Sequence, residues 1–243
     1  YSGLSPNFAF AKTRKNMEAR SPIVSGPRYS LKWWKWTAIL LMTYTFSAGF
    51  LVSVPVIGNL QETIRNLFFH VPMWFGQMIL LLVSLIYSIL YLRKGKYQSD
   101  IAARSFAATG ILYGLLGLVT GAIWANFTWG EPWSNDPKQI AVAIALLIYL
   151  AYFVLRNALP DPDKRAKVAA VYNVFAYGMY IPLIMILPRL VESLHPGGKG
   201  VEGNPALSGQ DLDPTMRLVF WPAVIGWTLL GVWITQLYIR DRK

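Results

Sequence analysis

Two imidazoles, His70 and His195, are all the histidine this chain has, and it has no cysteine. Between them lies what reads as a loop dense in indoles, Trp124-Ala-Asn-Phe-Thr-Trp129-Gly130-Glu-Pro-Trp133-Ser-Asn-Asp136-Pro-Lys138. Neutral imidazole is a good axial ligand for iron, and two trans imidazoles saturate it. Indoles at such spacing can cover the face or edge of a flat apolar ring. The chemistry that suits this set is heme held by His70 and His195, with the tryptophan run as a shelf. Zinc asks for three or four protein ligands, and copper for cysteine or clustered methionine. The lack of cysteine excludes thiolate sites, iron–sulfur clusters and covalent heme attachment, which leaves non-covalent heme b.

Each residue has a plainer reading beside that one. A lone histidine at a membrane surface is often a headgroup anchor, and Trp124 alone fits an ordinary aromatic belt. The ordered Trp129-Gly130-x-x-Trp133-x-x-Asp136-Pro run is more than a belt requires. Asp136 before Pro137 also reads as a helix N-cap. Arg65, Lys138, Arg189 and Lys199 are open to two roles, pairing with propionates or anchoring at the interface.

These residues need elements to hold them, and composition says which. The 243 residues are 54% hydrophobic and 14% charged, with mean hydropathy +0.37; a soluble domain carries about a quarter charged residues. Six segments approach the roughly 20 apolar residues that cross a bilayer: Trp34–Pro55, Phe68–Leu92, Ser105–Ala125, Gln139–Leu155, Val168–Leu187 and Leu218–Ile239. The expected fold is an all-α polytopic membrane protein with six transmembrane helices. Residues 1–33 read as a basic, disordered cytoplasmic tail and 34–243 as one membrane domain. A signal peptide is not expected, since no short apolar run with a cleavage site follows the tail.

Alternate connections divide the basic residues unequally, 18 on one side and five on the other. The positive-inside rule then sets both termini in the cytoplasm. It puts His70, the tryptophan run and His195 together on the outer face, although the histidines took no part in the count. Topology and anionic lipid account for the net charge of +11, so no nucleic-acid partner is implied.

Leu60, Ile64, Leu67 and Phe68 recur at helical spacing, which predicts a short amphipathic helix in the outer interface leading to His70. Leu187, Leu190, Val191 and Leu194 predict a helical stripe ending at His195, stopped by Pro196-Gly197-Gly198. Gly110, Gly114, Gly117 and Gly121 predict close helix packing within the bundle. Pro182 and Pro222 predict kinks.

Trp129-Gly130-x-x-Trp133-x-x-Asp136-Pro resembles the tryptophan-rich WWD loop of heme-handling proteins in cytochrome c maturation. Phe69-His70-Val71-Pro72 and Ser193-Leu194-His195-Pro196-Gly197 are similar to the external histidine motifs that flank that loop. Order, span number and length resemble the CcmC type in particular, over about residues 34–239. One position departs from the family pattern: Asn135 stands where the family usually has Trp.

The resemblance implies a protein of the bacterial inner membrane with functional loops facing the periplasm. It implies heme bound by His70 and His195, with Trp124, Trp129, Gly130, Trp133 and Asp136 around it. It implies transfer of that heme to the periplasmic chaperone CcmE, beside the ABC-type subunits CcmA and CcmB and the small membrane protein CcmD. On this reading the chain is a binding and transfer protein, not an enzyme, and no ATP-binding loop occurs in it. Competing readings are a CcsA-type synthase component, which typically has more spans and histidines, and a cofactor-free transporter or scaffold subunit. A transmembrane diheme relay needs about four histidines inside helices, and this chain has two.

Overall fold

The structure is a computed structural model that describes residues 31–58, 60–199 and 212–241. The expected tail falls outside these residues as far as residue 30. Seven α-helices are described: α1 (Trp33–Leu51), α2 (Leu67–Lys94), α3 (Tyr97–Trp129), α4 (Pro137–Ala158), α5 (Pro162–Ile181), α6 (Leu187–Leu190) and α7 (Pro214–Arg240). Among the described residues no β-strand occurs; a single bridge joins Glu192 to Lys199.

Five helical stretches are long and apolar enough to cross a membrane: Gln61–Lys94, Tyr97–Trp129, Pro137–Ala158, Pro162–Leu190 and Pro214–Arg240. The first expected span forms the 19-residue α1 but is not among the five. Its opening turn is Trp-Trp-Lys-Trp, which is less apolar than a span interior.

Three pairs of long helices run antiparallel, while α2 and α7 run parallel, with Phe68 beside Phe220 and Leu80 beside Gly231. Trp34 meets Trp233 while Tyr44 donates to the Leu218 carbonyl, so α1 opposes α7. Ser84 reaches the Ala103 carbonyl while His70 reaches Thr120, so α2 opposes α3. Asp100 meets Arg156 while Gly114 approaches Leu146, so α3 opposes α4. The start of α1, the end of α2, the end of α4 and the end of α7 therefore share one end of the bundle. That end carries Lys35, Arg93, Lys94, Arg156 and Arg240. His70, the tryptophan run and the start of α4 lie at the other.

The interior combines close backbone approach with hydrogen bonds between buried polar side chains. A Cβ on Gly110 would meet Leu81 at 2.5 Å, and one on Gly114 would meet Leu146 at 2.5 Å. The expected packing role of the α3 glycines is thus seen. Asn173 donates to Ser84 at 2.7 Å and Ser88 at 2.8 Å, and Tyr180 donates to Gln77 at 3.2 Å. Tyr149, Tyr180, Leu81 and Leu146 fill the space between α2, α4 and α5. At the basic end Arg156 grips Asp100 through two hydrogen bonds, one of 2.7 Å, with both side chains buried.

Three expectations about local structure need correction. The stretch before His70 is a 3₁₀ turn, Gln61–Asn66, that runs directly into α2. Its apolar stripe is no lipid-facing surface, because Ile64 and Phe68 pack on Met216, Val219 and Phe220 of α7. The stripe after α5 does not stay helical to His195. Pro182 opens a π-turn over Pro182–Ile186, the helix ends at Leu190, and Val191 is extended. Pro182 and Pro188 each remove a backbone donor there, and the freed carbonyls loosen the ladder. Third, Trp124 and Trp129 are not in a loop. They lie on the last turns of α3, whose first terminator is Gly130 at φ +87. With 33 residues α3 is about 50 Å long against a hydrocarbon core of about 30 Å. It is thus longer than the core is thick, with those indoles at one of its ends.

Candidate functional site

Asp136 organises one half of the site. It is the N-cap of α4, accepting from the Lys138 amide at 2.9 Å, with Pro137 at the first helical position. The cap expected from sequence is present, and the carboxylate does far more. Its oxygens accept from Ser193 Oγ at 2.8 Å, the Leu194 amide at 2.6 Å and His195 Nδ1 at 2.8 Å. The loop after α6 is thereby clamped onto the start of α4. Lys199 N–H bonds the Val191 carbonyl at 3.0 Å and closes the loop that presents His195.

Burial alone raises the pKa of Asp136, but the His195 hydrogen bond and the Leu194 amide outweigh it. The carboxyl is held below its ordinary range. His195 is shifted down from its ordinary 6.5, first by burial, with Asp136 opposing. The imidazole is then neutral near pH 7. Its Nδ1–H donates to the carboxylate, so the tautomer leaves a lone pair on Nε2. Among the described residues Nε2 makes no hydrogen bond. The ring is 24% exposed, and Trp129 packs edge-on against it at 4.8 Å.

His70 forms the other half. It lies in the first turns of α2 against α3, where a Cβ on Gly121 would strike its Cε1 at 2.7 Å. Nδ1 is 3.0 Å from Thr120 Oγ1, whose hydroxyl donates to the Leu116 carbonyl at 2.9 Å. Nδ1 is therefore the donor, and Nε2 again carries the lone pair. Trp74 Nε1 donates to that lone pair at 3.2 Å. Trp124 stands edge-on to the ring at 5.9 Å and donates to Thr63 Oγ1 at 3.2 Å.

The two histidines thus stand at the same end of α3, one beside Trp124 and the other beside Trp129. Between them runs the short segment from Gly130 to Asp136. Gln139 ties its base, accepting from the Ser134 amide at 3.0 Å and donating to the Pro132 carbonyl at 3.4 Å. Asn135 has φ +55, a conformation asparagine tolerates better than larger side chains. Its Oδ1 accepts from Trp133 Nε1 at 2.9 Å, which gives the unusual Asn a use. Trp133 is exposed and Gly130 faces open space.

Of the four basic residues weighed for propionates, Arg65 is occupied by Glu62 at 2.6 Å and by the carbonyls of Gly49 and Val52. Trp74, Thr120 and Gln139 also meet the candidate site although no motif flags them, and Gly121 and Ser193 meet it in contacts that their motifs do not state. The spacing of His70 and Trp74, four apart, matches that of Gly117 and Gly121, and is the one signal that pointed there.

An imidazole nitrogen with no hydrogen bond among the described residues, on a half-buried, carboxylate-braced histidine with indoles beside it, suits iron in a flat apolar ring. The profile of heme exporter protein C matches residues 19–242. The chain belongs to the heme exporter protein C family. The family member from Paracoccus denitrificans is 34% identical over 109 residues, 45% of each chain. That from Bradyrhizobium diazoefficiens is 29% identical over 179 residues, 74% of this chain and 66% of the relative. The cytochrome c biogenesis protein CcsA of Prochlorococcus marinus is 41% identical over 66 residues, 27% of this chain and 21% of that protein. The chain thus spans about half to two thirds of the length of these heme exporter relatives. Its long apolar helices make this member of the heme exporter protein C family a multi-pass membrane protein.

Proposed function

We propose that this protein binds heme at the outer face of the bacterial inner membrane and passes it on for c-type cytochrome maturation. His70 and His195 are the axial ligands. Trp124, Trp129 and Trp133 shield the ring, while Gly130 lets the chain turn between them. Asp136 holds the His195 tautomer, so the iron meets Nε2 on a rigid ring. Heme is cargo here, carried non-covalently and released intact. The recipient is a periplasmic chaperone of the CcmE type, and CcmA, CcmB and CcmD are the membrane partners. The chain itself carries out no chemical conversion.

The observation that supports this best is the Asp136–His195 contact beside Trp129, at the same helix end as His70 and Trp124. The topology that goes with it has α1 as the sixth span and both termini in the cytoplasm. The basic residues gathered at the opposite end of the bundle favour that orientation. An absorbance scan of protein purified from cells tests the reading. A Soret band with low-spin features is expected, and a clean scan after heme reconstitution contradicts it.

The match to CcsA favours a second, related reading, in which the heme goes directly to an apocytochrome. Transfer assays with purified chaperone or apocytochrome separate the two.

A further inference from the structure

The two imidazoles differ in one respect that bears on release. Nε2 of His195 makes no hydrogen bond among the described residues, whereas Nε2 of His70 already accepts one, from Trp74 Nε1 at 3.2 Å. The contact is built by two helices. His70 and Trp74 are four apart and share a face of α2. Gly117 and Gly121 are four apart on the facing stretch of α3. A Cβ on Gly121 would meet the His70 ring at 2.7 Å, and one on Gly117 would meet the Trp74 ring at 2.8 Å. Both rings are sunk into notches that any side chain would fill. Thr120 holds Nδ1 from the other edge, so the imidazole is fixed at both nitrogens.

We propose that Trp74 is a latch on His70. Its indole N–H occupies the lone pair that iron would take, so that the two histidines engage heme in sequence. This rests on the assignment of His70 and His195 as axial ligands. Heme docks first on His195, whose Nε2 is open, and His70 joins only when the Trp74 bond opens. When the His70–iron bond breaks, the indole recaptures Nε2 and hinders religation. The second axial bond is thereby weakened by one hydrogen bond, which suits a carrier that must give its cargo up. A neutral hydrogen bond of this kind corresponds to roughly two- to tenfold in an equilibrium constant.

The test uses Trp74→Phe in the full-length protein, with Trp74→Leu as a second variant lacking the N–H. Hemin is loaded, and transfer to excess apomyoglobin gives the dissociation rate. The low-spin fraction is read from the visible and EPR spectra. The latch requires that each variant that folds hold more low-spin heme and release it about two- to tenfold more slowly than wild type. The effect must vanish when His70→Ala is present as well. In the heme-free protein, the Trp74 indole proton must exchange more slowly than it does in His70→Ala. Equal or faster release, an unchanged spin ratio, or the same effect without His70 overturns the latch while leaving the two ligands in place. A wild-type protein that takes up no heme overturns the ligand assignment and the latch together.

Discussion

Nδ1 of His195 lies 2.8 Å from Oδ1 of Asp136, across 59 residues of sequence, and this contact joins the tryptophan segment to the second histidine. One carboxylate caps α4, clamps the loop after α6 and selects the tautomer of an imidazole. Metal-binding histidines are commonly braced in this way, and removing the brace costs about 10- to 100-fold in affinity. Asp136→Ala is therefore expected to raise the heme dissociation constant by about that factor. A spectroscopic hemin titration checks it, and wild-type affinity in the variant would show that the contact does not matter for binding.

Gly121 gives a steric test of the other half. Gly121→Ala places a methyl group 2.7 Å from His70 Cε1, so the ring must move. Loss of the His70 ligation signature is expected, with heme retained on His195. Gly178→Ala is the control, since a Cβ there meets nothing within 4 Å and alanine is the better helix former. It is expected to leave the spectrum intact and stability equal or higher. Identical spectra for the two variants would remove the notch from the account.

The buried Asp100–Arg156 pair is far from this end and has a structural part. Removing one partner strands a charge in the bundle, which costs about 3–5 kcal/mol. Asp100→Asn should lower the thermal midpoint in detergent markedly, with the heme spectrum of the surviving folded protein unchanged. A midpoint equal to wild type would contradict the burial.

The pH dependence follows from His195, whose folded value lies below the ordinary 6.5. As pH falls past 6.5, unfolded chains take up a proton that the folded ring refuses. Stability is thus fully present above 6.5 and declines below it until the folded ring protonates. Asp136, held low, adds a further loss at more acid pH, below the ordinary carboxylate value. Thermal midpoints of the heme-free protein should be flat above pH 6.5 and fall on acidification. A midpoint that rises on acidification through that range would reverse the sign of the His195 shift.

Much of this was legible in the residues themselves. Apolar runs marked the long helices, and Asp136-Pro137 marked the start of α4, because hydropathy and capping act locally. The packing of the α3 glycines was legible too, but not that two of them hold His70 and Trp74. That pairing depends on the register of α2 against α3, which no local pattern states. The helix end at Leu190 is hidden by apolar spacing that continues past Pro188, whose missing donor ends the helix. Falling hydropathy makes Trp124 and Trp129 read as loop, although no residue before Gly130 ends a helix. The reach of Asp136 to Ser193, Leu194 and His195 is a tertiary contact, and only the folded chain displays it.

The central claim is that His70 and His195 bind one iron from opposite sides. EPR of the heme-loaded protein, beside His70→Ala and His195→Ala, tests it most directly. The account predicts a low-spin bis-imidazole signal in wild type. It predicts a high-spin, single-imidazole signal in His70→Ala and little bound heme in His195→Ala. An unaltered low-spin signal in both variants would contradict it.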